Sequence, residues 1–134
     1  MSLPSQPPAS NDFPKDWPSD SPPGDAVDAD GTVFRIVKDD PPVAKDFESH
    51  FESGKLLKAP PCLRCGLSVF RQFQDADHQR KLMPKLGSLV ASAKLRSMHG
   101  KTKLTKGTQP THTTWWVFDR VNRASLFSVN KEES

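Results

Sequence analysis

The chain has 134 residues, room for one domain, a low hydrophobic share of 34%, and 19 Lys and Arg against 16 Asp and Glu, for a net charge of +3. No run approaches the ~20 apolar residues of a membrane helix, and "MSLPSQPPASND" lacks the positive start and apolar core of a signal peptide. A cytoplasmic location with no membrane partner is the expectation, and two cysteines are too few for a disulfide framework.

Residues 1–31 hold seven of the 13 prolines. Lys15 against Asp12, Asp16, Asp20, Asp25, Asp28 and Asp30 leaves them at −5, so the rest of the chain carries +8. Proline disfavours helix at the residue before it and removes backbone donors, and the Asp-rich remainder buries too little to offset chain entropy. We read 1–31 as a disordered acidic tail and 32–130 as one folded domain. Phe13 and Trp17 are the tail's aromatics, candidate anchors for a partner or for the body itself. Unless they dock, deleting the tail leaves the thermal midpoint unchanged.

Order is expected to begin with "TVFRIV" (32–37), a strand bounded by Gly31 and "KDDPP". "VAKDFESHFESG" (43–54) reads as one helix, with Val43, Phe47 and Phe51 four residues apart and Gly54 closing it. "GLSVFRQF" (66–73) is a second strand. "DADHQRKLM" (75–83) makes a short helix with Asp75 as N-cap and Pro84 as stop. "LGSLVASAKLRSMHG" (86–100) fits both periods, and its Ala, Leu and Lys content favours helix. "KTKLTKGTQPT" (101–111) reads as a mobile polar loop. "HTTWWVFDR" and "RASLFSV" are strands joined by a "DRVNR" hairpin. The fold class is α+β: a small antiparallel sheet with two or three short helices on one face.

"APPCLRCGLSVF" (59–70) holds both cysteines. C-x₂-C opens many zinc sites, and His78 follows Cys65 at a finger-like spacing, but Leu82, Met83 and Pro84 stand where the second histidine belongs. A site would need Cys62, Cys65, His78 and one of His50, His99 or His112. A redox pair needs a helix N-terminus to lower a thiol pKa, and strand-forming residues follow Cys65 instead. The pair is therefore read as a stiffened turn leading into a strand, with Cys62 a small buried hydrophobe. No metal and no cofactor are expected.

Catalytic signatures are missing. "GLSVF" lacks the flanking glycines of a nucleophile elbow, and "GKTKLTKG" lacks the earlier glycine of a phosphate loop. Two enzymatic arrangements are conceivable: a metal-independent ribonuclease using His99, His112 and nearby lysines, and an ADP-ribosyl-transfer site using Arg35 and Ser68.

The strongest departure from an ordinary surface lies at 80–106. Arg80, Lys81, Lys85, Lys94, Arg96, Lys101, Lys103 and Lys106 occur there without one Asp or Glu. Such a field suits a polyanion. Trp115 and Trp116 point to opposite faces of their strand, so one indole is a candidate to stack on a base. The acidic tail has the opposite sign and can fold back over these cations, although salt screens such contacts beyond ~8 Å. The expected function is binding of nucleic acid or another polyanion through these ten residues. The alternatives are a protein-interaction module docking an acidic protein surface, and a small ribonuclease-like enzyme.

Overall fold

Two runs of chain, residues 27–37 and 89–104, lie antiparallel along most of their length and set the architecture. The computed structural model describes residues 12–19, 21–54 and 60–130. The first run holds β1 (Val27–Asp28) and β2 (Gly31–Val37). After β3 (Leu67–Phe70), the second run holds β4 (Leu89–Leu95) and β5 (Gly100–Leu104). β6 (His112–Val117) and β7 (Ser128–Val129) complete the sheet. Among the described residues there are four short helices: α1 (His50–Ser53), α2 (Pro61–Arg64), α3 (Phe73–Leu82) and α4 (Arg123–Leu126).

The strand order is β1-β5-β6-β3-β2-β4-β7, antiparallel throughout. In a flat sheet β1 and β2 would lie four strand spacings apart, about 19 Å. Only Ala29 and Asp30 join them, and Asp28 to Gly31 spans at most about 11 Å. The sheet therefore curls until its ends approach. Val27 opposes Thr102, while Gly31 opposes Leu95, three residues out of step. The 3-10 turn Ser97–His99 absorbs the difference as a bulge. Gly100 follows it with φ 131°, and a Cβ there would stand 2.0 Å from the Trp116 carbonyl oxygen.

The seam between β2 and β3 has one bridged pair, Phe34 with Phe70. Arg71 reinforces it, its guanidinium donating to the carbonyls of Asp30 (2.6 Å) and Thr32 and to Thr102 Oγ1. Inside the curl, Val33, Val37, Leu67, Val69, Leu95 and Trp115 form the main core with Ala91 and Ala93. Phe47 and Phe127 join this core, ring centroids 4.9 Å apart. Outside, α3 covers Ile36, Phe70 and Val90 through Phe73 and Ala76.

The fold class is α+β but dominated by its sheet, which is larger than expected. Several local expectations are corrected. Order begins before Thr32: Trp17 is buried, Phe13 stacks on it at 5.2 Å and meets Phe118 at 4.7 Å, and β1 pairs with β5. The first eleven residues of the expected tail lie outside the described residues. The 43–54 helix is two pieces, a 3-10 turn (Ala44–Phe47) and α1, because Ser49 and Glu52 form a capping box that starts a new helix. Gly54 does close α1 in the left-handed conformation, φ 71°.

Residues 89–95 are strand, not helix. Residues 100–104 are strand, not loop, and the loop beyond is tied to α3, where Asp75 accepts from the Thr111 N–H and hydroxyl and Gln79 bonds Thr108 and Gln109. Asp75 therefore does not cap α3, whose N-cap is Gln72. "RASLFSV" begins as α4, with the Asn122 side chain accepting from the Ser125 N–H. β7 pairs with β4, so no hairpin joins it to β6.

Candidate functional site

The outer surface of the curled sheet is covered in two places. α3 lies over one side, and Phe13, Trp17, Ala26 and Cys65 lie over Trp116 on the other. Between these covers runs a polar strip. Lys103 opposes Thr114 and Thr114 opposes Ser68, so the three cross β5, β6 and β3 in one row. His112 sits one step along β6, opposite Phe70, its ring edge-on to that phenyl at 5.6 Å. His112 Nε2 lies 3.0 Å from the Ser68 hydroxyl, and Nδ1 lies 3.0 Å from Thr105 Oγ1 and 3.3 Å from the Thr105 carbonyl oxygen. Thr105 Oγ1 in turn lies 2.7 Å from Thr114 Oγ1.

At one margin of this strip the acidic segment meets the basic strand. Lys101 and Lys103 share the outer face of β5. Lys103 Nζ is 2.8 Å from Asp25 Oδ2, and Lys101 Nζ is 3.4 Å from Asp28 Oδ1. The hydrogen bond from Lys103 is the main reason the Asp25 carboxyl falls below its ordinary value.

The eight cations do not form one patch with equal availability. Arg80 and Lys81 are both engaged by Asp77, at 2.6 and 3.0 Å. Lys85 is exposed in the 3-10 turn Pro84–Leu86, Lys94 is exposed on the outer face of β4, and Arg96 and Lys106 are exposed beyond the ends of β4 and β5. The tryptophans are corrected outright as stacking platforms. Both are 0% exposed. Trp115 Nε1 donates to the His99 carbonyl at 3.1 Å in the core, and Trp116 Nε1 donates to the Cys62 carbonyl at 2.8 Å.

The cysteines sit on a helical turn before the strand. α2 starts at Pro61, Cys65 caps its end, and Gly66 passes so close to β6 that a Cβ would meet Thr114 Cγ2 at 2.2 Å. Burial, and next the neighbouring Cys62, push the Cys65 thiol up to about 11, the opposite of what a redox nucleophile needs. Among the described residues no three His, Cys, Asp or Glu side chains converge as a metal site would require.

The two-histidine ribonuclease arrangement does not assemble. His99 pairs beside Phe118 and His112 beside Thr105, six residues apart along the strand, about 20 Å. His99 is buried, its Nδ1 accepts from the Arg96 N–H at 2.9 Å, and burial, with Arg96 next, lowers its pKa. Arg35 does reach Ser68, but by donating to its carbonyl at 2.8 Å, as it donates to the Asp46 carbonyl at 2.9 Å. Burial lowers the guanidinium pKa to about 10, with Arg123 adding to the effect. Arg35 thus positions backbone on the inner side of the sheet.

No family model, curated protein or solved structure matches this chain. No helix among the described residues is long and apolar enough to cross a membrane.

Proposed function

We propose that this chain is a small binding domain for nucleic acid or another polyanion, with Lys101, Lys103 and Lys106 as its leading contacts. One observation carries the reading. Two lysines on one face of β5 already hold carboxylates supplied by the chain's own acidic segment, in pairs open to solvent. Exposed ion pairs contribute little and are screened by salt, so they exchange readily. A phosphate backbone presents many charges at once and gains from counterion release, which two isolated aspartates do not. Base stacking on Trp115 or Trp116 has no part in this reading, so little sequence preference is expected.

The test is fluorescence anisotropy of labelled single-stranded RNA over a salt series. Substituting Lys101, Lys103 and Lys106 with Ala should lower the slope of log affinity against log salt by about two, at about 0.7 per lost contact. Absence of binding at low salt, even with Asp25→Asn and Asp28→Asn, would overturn the reading. Binding of poly-glutamate without RNA would assign the same lysines to an acidic protein surface.

A further inference from the structure

The polar strip holds a hydroxyl–imidazole pair that polyanion binding leaves unused. His112 Nδ1 faces the Thr105 hydroxyl at 3.0 Å and the Thr105 carbonyl oxygen at 3.3 Å. The carbonyl can only accept, so we assign the proton of the neutral ring to Nδ1, where both oxygens can take it. Nε2 is then left to accept from the Ser68 hydroxyl at 3.0 Å, within the reach a general base requires. Both partners are fixed. Ser68 and His112 stand on paired strands, Phe70 packs edge-on to the ring, and Gly107 lies against it so closely that a Cβ would meet His112 Cγ at 2.7 Å. Ser68 itself is exposed.

We infer that Ser68 is a nucleophile activated by His112, competent for acyl transfer from small carboxylic esters. Ser68 Oγ bonds to the acyl carbon while its proton passes to Nε2. The carbon–oxygen bond to the alcohol breaks, and the imidazolium returns the proton to that leaving group. Water then repeats the sequence, releasing the acid and restoring Ser68. Thr105, a neutral hydroxyl, backs the ring where a carboxylate would stabilise imidazolium more strongly. The acceleration expected from His112 is therefore at the lower end for general-base catalysis, about 10²-fold. Ser68 is exposed and His112 half-buried, so a small acyl group can reach the pair.

The test uses the intact protein and an uncharged alkyl fluorophosphonate, so its outcome is independent of whether the lysines bind polyanions. Attack by Ser68 forms an oxygen–phosphorus bond, expels fluoride and leaves an adduct that peptide mass spectrometry locates. The adduct is expected on Ser68, at a rate that rises as the imidazole loses its proton. Ser68→Ala should remove it, and His112→Gln should slow it by about 10²-fold with the circular dichroism spectrum unchanged. Should His112→Gln fail to fold, the pH profile of the unsubstituted protein decides alone. A flat profile, or labelling of Ser68 no faster than of exposed Ser88, overturns the inference.

Discussion

The carboxylate of Asp25 and the ammonium of Lys103 meet at 2.8 Å, joining the acidic segment of the chain to its basic strand. Asp28 and Lys101 repeat the contact one strand pairing away. On the proposed polyanion-binding function, these two carboxylates would compete with the anion for the same lysines. Asp25→Asn together with Asp28→Asn should tighten RNA binding several-fold while leaving the thermal midpoint unchanged. Weaker binding would mean that the aspartates organise the lysines for the ligand.

Trp17 gives the acidic segment a second role. Its side chain is 8% exposed and packs in the cluster that covers Trp116. Trp17→Ala should cost about 3 kcal/mol or more and lower the thermal midpoint by about 10 °C, measured by calorimetry. A midpoint unchanged by this substitution would return the segment to the status of a removable tail.

Cys65 should resist alkylation. With its thiol raised to about 11, its thiolate fraction near neutral pH is more than about 100-fold below that of an ordinary cysteine at about 8.5. Iodoacetamide labelling followed by mass spectrometry should show Cys65 modified at least that much more slowly than glutathione. Rapid modification would place the sulfur in a different environment.

Arg123 forks Glu52 through contacts of 2.8 and 2.9 Å and also donates to the Phe47 carbonyl, tying α4 to α1. Burial pushes the Glu52 carboxyl up, but hydrogen bonds from Arg123 and Ser49 outweigh it and hold it below its ordinary 4.5. Because the folded value lies below the unfolded one, the contribution is complete above pH 4.5 and fades as pH falls through the folded value. The side chain is 34% exposed, so Glu52→Gln should cost about 1 kcal/mol near neutral pH. Denaturant unfolding of the two proteins should converge in acid; a constant difference would contradict the assignment.

What the sequence reveals is uneven, for physical reasons. β2 and β6 are dense in β-branched and aromatic residues and stand out without a partner. β4 does not, because Ala91 and Ala93 are small residues of good helix propensity. They serve as strand residues where the inner wall must leave room for Trp115, a constraint visible only after the sheet has curled. The basic stretch was readable as charge but not as availability. Asp77 lies just before it, and only the turn of α3 brings that carboxylate to Arg80 and Lys81. Ser68 and His112 are 44 residues apart and strand register brings them together, while Thr105, seven residues before His112, reaches the ring from just beyond β5.

The pairing of residues 27–37 with residues 89–104 also sets when this protein can fold. Val27 meets Thr102, 75 residues later, and Thr102 needs Trp115 on its other side. Contacts so distant along the chain close slowly, and a nascent chain cannot form them until β6 has left the ribosome. Through that interval Val33, Phe34, Ile36 and Val37 lack the strand that pairs with them over their whole length. Synthesis itself therefore exposes a sticky, β-prone segment, and expression yield should depend on how quickly residues 89–117 follow.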